Sequence, residues 1–321
     1  MLILTCFLAL TLSFVLTPTV MGLSWCIGAV DVPCDGRRMH TQSIPRAGGV
    51  AIFTAFAVAC IAGDMLTHDL TVILCGGGLM LAVGLADDIF CLGAWIKFFF
   101  QVAAAMACVL ALGAESSIDA VWSVFWVLAL TNAHNFIDGL DGLFAGCAAI
   151  EAVAIFLTFA VSGAALQGTP ALLLAASCLG FRAFNRYPAQ VFAGDCGSAT
   201  TGFLLGLLTL PLFWGMENAT AWLSPFFLFA YPLTDLTIAV LRRTLRGKSP
   251  FAADRGHLHH RICDAGLLHP QCVGVFNLIT AGTAAVAILL YVESLLVAAS
   301  LALMGLAVLL MRIRRFVEEF R

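Results

Sequence analysis

Eleven stretches of this 321-residue chain are apolar for about the length of a membrane crossing, and nearly all of its charge lies between them. A helix needs about 20 mostly apolar residues to cross the hydrocarbon core, fewer where it is short or tightly packed. The stretches fall near residues 2–24, 47–62, 70–86, 94–112, 119–131, 143–162, 169–181, 198–214, 221–241, 273–290 and 292–311, the fifth and seventh being the shortest. Hydrophobic residues make up 61% of the chain and charged ones 11%, where soluble domains carry about a quarter charged. That composition excludes a soluble globular fold, a disordered chain and a disulfide scaffold. The expectation is an all-α integral membrane protein, one polytopic domain over 1–321 with about 11 transmembrane helices.

The charges then give an orientation. Loops after odd-numbered spans hold Arg37, Arg38, Arg46, Lys97, Arg182, Arg186, Arg242, Arg243, Arg246, Lys248, Arg255 and Arg261, and the tail holds Arg312, Arg314, Arg315 and Arg321. Together these are all 16 basic residues, whereas even loops carry acids such as Asp64, Asp69, Glu115, Asp119 and Glu217. Short loops rich in Lys and Arg stay on the cytosolic side, which predicts an external, periplasmic N-terminus and a cytosolic C-terminus. No basic residue precedes Arg37, so the first run lacks a signal peptide's basic region and is read as the first span. A net charge of −3 offers no global field for nucleic acid. The 12 cysteines form no C-x-x-C pair and are read as structural.

Almost every reactive side chain shares the predicted cytosolic face, which places the working site on those loops. The third span ends in Asp87-Asp88, with Lys97 and Gln101 following at the start of the fourth. The fifth loop reads N-A-H-N-F-I-D-G-L-D-G from Asn132, bringing Asn135, Asp138 and Asp141 together. Carboxylate and amide oxygens suit Mg²⁺, which takes few protein ligands and fills its shell with water and substrate phosphates. The seventh loop carries Asn185, Phe192 and then Gly194-Asp195-Cys196-Gly197 at the mouth of the eighth span. Its glycines admit close backbone approach, and Asp195 would repel a phosphate unless a cation lay between.

The ninth loop, 242–272, is the longest and most basic, and includes His257, His259, His260 and Arg261. Those histidines with Cys263 match no common zinc spacing, and diphosphate donors are the favoured reading. The first loop adds Arg46 before Gly48-Gly49, again suited to a phosphate. Within the spans, Asp235 is seven residues from Arg242 and is expected to pair with it, while Glu151 has no evident role. A transporter is expected to gather polar groups at the midplane, often in repeated halves, and no repeat is found.

Four of these segments in this order resemble the polyprenyl-phosphate N-acetylhexosamine-1-phosphate transferases, glycosyltransferase family 4. They are Asp87-Asp88 with Lys97, N-A-x-N-x-x-D-G-x-D-G from Asn132, P-A-x-x-F-x-G-D-x-G-S from Pro188, and S-P-F-x-x-D-R-x-H-x-H-H ending at His260. The resemblance implies transfer of HexNAc-1-phosphate, best taken as GlcNAc-1-phosphate, from a UDP-N-acetylhexosamine to undecaprenyl phosphate in the inner membrane. UMP is released, and the product begins an envelope glycan such as O-antigen. By the same resemblance Asp195 and Asn135 hold Mg²⁺, with Mn²⁺ as substitute. Lys97 contacts phosphate, Asn185, Phe192, Asp138 and Asp141 line the uridine pocket, and Asp87 and Asp88 are catalytic. His257, His259, His260, Arg261 and Arg46 bind substrate. The muramyl-pentapeptide branch has three consecutive histidines, where this chain has H-L-H-H, which favours a plain HexNAc donor. Asp138 to Ala145 also fits the start of a CDP-alcohol phosphotransferase signature, but Gly146 replaces its arginine. A transporter is the alternative from another class, and a homodimer is left open.

Overall fold

The computed structural model describes residues 1–33, 42–214, 219–249 and 256–292. In chain order the helices are α1 (Leu2–Ile27), α2 (Gly48–Ala62), α3 (His68–Phe90), α4 (Ala94–Ala111), α5 (Ser117–Ile137), α6 (Leu143–Val161), α7 (Ala165–Asn185), α8 (Asp195–Leu208), α9 (Ala219–Leu228), α10 (Ala230–Leu245), α11 (Leu258–Asp264) and α12 (His269–Tyr291). The strands among the described residues are β1 (Val30–Asp31) and β2 (Ile44–Pro45), antiparallel with Val30 opposite Pro45. Six helices, α1, α3, α4, α5, α6 and α12, are long and apolar enough to cross a membrane, or seven if α9 and α10 form one bent span. The chain is an all-α multi-pass membrane protein. Residues 293–311 of the eleventh predicted span lie outside the described residues, as do Arg37, Arg38, Arg255 and the tail arginines.

The other ten predicted spans coincide with helices, and three differ in ways that matter. The fifth was expected to stop at residue 131, yet α5 continues to Ile137. Its polar residues are satisfied as it goes: the Asn132 amide donates to the Leu128 carbonyl at 2.8 Å and to Gln101 Oε1 at 3.0 Å, and His134 Nδ1 lies 2.9 Å from the Leu130 carbonyl. Side chains that bond the preceding turn leave the backbone ladder intact. Asn132, His134 and Asn135 are therefore helical rather than on a loop. The seventh span likewise lengthens, ending at Asn185. The ninth is broken, with α9 and α10 meeting at 73° around Phe229. Pro232 follows three residues on, and its missing N–H leaves the Leu228 carbonyl without its helical donor.

The long loop expected over 242–272 is also shorter than its sequence implied. Arg242 and Arg243 belong to α10, and α11 and α12 occupy 258–264 and from 269 onward. Leu258, Ile262 and Cys263 pack α11 onto a small apolar cluster with Ile137, Leu143 and Phe276. At the centre stands α8, buried from Cys196 to Leu208 and packed between α3 and α5. Its run of Gly, Ser, Ala and Thr lets neighbouring backbones come close, as helices in lipid require. Whatever sits at the N-terminus of α8 is thus held from several sides.

Candidate active site

The last residue before α8, Gly194, has φ of +72°. A side chain there would strike the Arg46 carbonyl and the Asp88 carboxylate, so glycine is required twice over. Gly84 lets α3 lie against the first turn of α8, where a Cβ would come 2.5 Å from Cys196 Cα. That contact brings Asp88 Oδ1 and Oδ2 to accept the backbone N–H groups of Asp195 and Cys196, each at 3.0 Å. A carboxylate from one helix so caps the free donors of another, and its charge complements the helix dipole.

Around this cap five charged side chains alternate in sign. Arg46 Nη2 lies 2.8 Å from Asp88 Oδ1 and 3.4 Å from Asp195 Oδ1. Lys97 Nζ bridges Asp87 at 2.8 Å and Asp195 at 2.7 Å. Asp195 is the shared partner of both cations. Burial disfavours the Arg46 charge, but the carboxylates of Asp88, Asp195, Asp31 and Asp87 outweigh it and raise the pKa.

A cavity of about 770 Å³ opens on one side of this cluster. Arg46, Asn135, Asp138, Asp141, Asn185, Phe192, Asp195 and His260 line it, eight of the fourteen site residues expected from sequence. Burial, reinforced by Asp195, Asp88 and Asp141 against the pull of Arg46, pushes Asp138 up to about 8. Two of the eight also hold the walls. Asp141 accepts the Ala189 N–H at 2.9 Å, and the Asn185 amide joins Gly142 N–H at 3.1 Å to the Val191 carbonyl at 2.9 Å.

The other six stand elsewhere. Asp87, Asp88 and Lys97 form the layer behind Asp195, on the side of the α3–α4 turn, where Phe90, Trp95, Ile96 and Phe99 are exposed. His257 faces away from the cavity, its Nδ1 2.7 Å from Asp235 Oδ2 and its Nε2 3.4 Å from Arg243. Asp235 also accepts the Leu258 N–H at 2.7 Å, so its partner is His257 and not the expected Arg242. His259 is wholly buried beneath Gly139, with Tyr231 Oη 3.5 Å from Nδ1. Burial first, then His260, His257 and His269, lowers its pKa to about 3 against the attraction of Asp235. Direct phosphate binding by His257 and His259 is thereby corrected, because His257 is occupied by Asp235 and Arg243 and His259 is wholly buried off the cavity. Arg261 is exposed and off the cavity.

Two glycine readings change as well. The N–H groups of Gly48 and Gly49 donate to the Phe192 and Ala193 carbonyls at 3.0 and 2.9 Å, and Phe192 N–H returns to Pro45 at 2.8 Å. The start of α2 is thus strapped to the loop before α8 rather than open to a phosphate, and Gly197 packs on Gly49 instead of on a ligand. Glu151 acquires a role: its Oε2 lies 2.7 Å from His134 Nε2, both side chains fully buried, tying α6 to α5. Sequence reasoning missed Ser198, Tyr187 and His269 as cavity residues. The Tyr187 and His269 rings meet tilted at 4.6 Å from segments 82 positions apart, a pairing that no local pattern signals.

The donor set fits a hard divalent cation. Asn135 donates its amide N–H to Ser198 Oγ at 3.2 Å, which leaves its carbonyl oxygen as an acceptor, and it lines the same cavity as Asp195. Among the described residues no three His, Cys, Asp or Glu side chains form a closed cage. One or two protein oxygens with room for phosphate oxygens is the habit of Mg²⁺.

Comparison with known proteins gives a consistent result. Residues 70–212 match the family described as Glycosyl transferase family 4. A Bacillus subtilis protein named as a probable undecaprenyl-phosphate N-acetylglucosaminyl 1-phosphate transferase is 33% identical over 281 residues, 83% of this chain and 78% of its own. A decaprenyl-phosphate N-acetylglucosaminephosphotransferase of Mycolicibacterium smegmatis is 35% identical over 310 residues, covering 83% and 76%. An undecaprenyl-phosphate alpha-N-acetylglucosaminyl 1-phosphate transferase of Yersinia pestis is 32% identical over 288 residues, covering 82% and 76%.

Proposed function

The chain belongs to glycosyl transferase family 4, and from that premise we propose that it transfers GlcNAc-1-phosphate from UDP-GlcNAc to undecaprenyl phosphate, releasing UMP. The reaction takes place at the cytosolic face of the cytoplasmic membrane, with the N-terminus outside, and begins an envelope glycan. The distribution of Lys and Arg supports that orientation. The carrying observation is the position of Asp195, shared by the polar cavity and by Lys97 on the apolar rim. The nucleotide sugar occupies the cavity, with Phe192 against the base, and the lipid phosphate arrives at Lys97 past Phe90, Trp95 and Phe99.

Asp195 and Asn135 would hold Mg²⁺, which when bound neutralises the charge of the diphosphate. Arg46 and Lys97 supply fixed positive charge on either side of Asp195, where charge develops during phosphoryl transfer. Asp87 orients Lys97. Both Asp88 oxygens are already engaged by Arg46 and two backbone N–H groups, which suits a positioning carboxylate and not a nucleophile. The acceptor is a phosphate monoester, mostly dianionic at neutral pH, so direct attack on the sugar-linked phosphorus needs no strong base. UMP exchange into UDP-sugar without any lipid acceptor would instead point to a covalent aspartyl intermediate.

The test is detergent-purified protein with Mg²⁺, undecaprenyl phosphate and radiolabelled UDP-GlcNAc, read as lipid-extractable sugar with stoichiometric UMP. Product in wild type and none with Asp195→Asn supports the transferase and the role of Asp195. Product in both retains the transferase and overturns Asp195 as an essential ligand. Folded protein with no product from any UDP-HexNAc overturns the transferase and leaves flux without chemistry.

A further inference from the structure

The turn between α11 and α12 carries two cysteines that take no part in the chemistry above. Cys263 lies on α11 and Cys272 on the first turn of α12, and the Cys263 thiol donates to the Cys272 sulfur at 2.7 Å. Among the described residues no other two cysteine sulfurs are hydrogen-bonded to each other. The intervening turn is ordered by its own bonds. Gly266 N–H donates to the Cys263 carbonyl at 3.0 Å, Cys272 N–H to the Leu268 carbonyl at 3.0 Å, and Leu268 N–H to Gln271 Oε1 at 3.0 Å. Nothing stands between the sulfurs.

Their exposure is unequal. Cys263 is half-buried beside the exposed Asp264, Ala265 and Gly266, whereas Cys272 is fully buried. A partly exposed thiol with a second, buried one behind it is the arrangement of a reacting and a resolving cysteine. The two helices give the site reach, because His260 on α11 and His269 on α12 both line the cavity.

We propose that Cys263 and Cys272 are a reversible dithiol–disulfide pair that staples α11 to α12 and so fixes one wall of the cavity. With glutathione disulfide as oxidant, the Cys263 thiolate attacks one glutathione sulfur, forming a mixed disulfide and expelling one glutathione thiolate. Cys272 gives up its proton and attacks the Cys263 sulfur, closing the intrachain bond and expelling the second glutathione. The two cysteines lose two electrons and two protons, and one glutathione disulfide becomes two glutathiones. In a reducing cytosol such a bond is transient, which is the usual behaviour of cytosolic disulfides.

The experiment exposes the detergent-purified full-length chain to glutathione disulfide, raised until the exposed Cys91 is modified, then alkylates, unfolds and maps the peptides by mass. The expected result is a segment holding Cys263 and Cys272 that is lighter by two hydrogens, takes up no alkylating agent and is restored by dithiothreitol. Cys272→Ser should instead trap a stable glutathione adduct on Cys263, which separates loss of the resolving thiol from loss of the fold. Two alkylatable thiols in the wild type under these conditions would overturn the proposal. So would a stable glutathione adduct on wild-type Cys263.

Discussion

Two polar networks meet the cavity of this protein, and they treat their charged and ring side chains in opposite ways. At the N-terminus of α8, Arg46 and Lys97 share Asp195, which itself faces the cavity. In the histidine segment, Asp235 holds His257, and His259 is buried, while only His260 of the three reaches the cavity. Both are dense in motif residues. The difference teaches that two motifs equally dense in polar residues can part, one presenting its charges at a cavity and the other bracing a single ring that reaches it.

The contrast breaks most sharply at Asp195. Asp195→Asn should lower kcat by about 10²–10³-fold, the scale of losing one preorganised electrostatic group, with an unchanged thermal midpoint in detergent. A variant that unfolds, or one that retains activity, would move Asp195 from chemistry to brace. Asp235→Asn should do the reverse. The amide keeps one acceptor oxygen for two buried donors, the His257 ring and the Leu258 N–H, which should cost about 2 kcal/mol of stability, seen as a lower thermal midpoint, with near-normal KM in the folded fraction.

Acid should test the brace independently. The folded pKa of His259 is about 3, while an unperturbed histidine titrates near 6.5, so between those values the unfolded chain binds more protons. Stability from this group is whole above pH 6.5 and is lost as pH falls towards 3. The thermal midpoint should therefore drop between pH 7.5 and 5, and drop less in His259→Gln. Equal slopes would mean that the imidazole is not the titrating group. A smaller effect is expected at His260, where His260→Ala should raise KM for the nucleotide sugar by about threefold, one lost polar contact, with kcat near normal. Arg261→Ala, exposed and off the cavity, should stay within about twofold in both constants, since surface changes rarely exceed about 0.5 kcal/mol. A larger effect would return Arg261 to the substrate.

The sequence made the helices legible because lipid imposes long apolar runs, and it made Asp195, Lys97 and Arg46 legible because charges at a membrane edge are costly without a purpose. What it hid was satisfaction at a distance. The Asn132 amide reaches Gln101 on another helix, so a polar run that reads as a loop is a helix end. Glu151 is unexplained from sequence because its partner His134 lies inside a motif read as binding metal and uridine. Asp235 looked along its own helix to Arg242, while its partner lies 22 positions on, across a segment whose course sequence spacing does not reveal. Periodicity along one element reports burial; it does not report which element arrives to be the neighbour.

The strap between Gly48-Gly49 and Phe192-Ala193 joins residues 144 positions apart, and Asp195 follows it at once. A ribosome that has threaded the first seven helices into the bilayer has therefore made Asp87, Asp88, Arg46 and Lys97 but not the carboxylate that both cations share. Until α8 enters, Arg46 and Lys97 have only Asp88 and Asp87 as partners, and Asp88 lacks the two backbone N–H groups that it later caps. Completion of the five-charge cluster and capping of the α8 N-terminus by Asp88 therefore come together, when α8 packs.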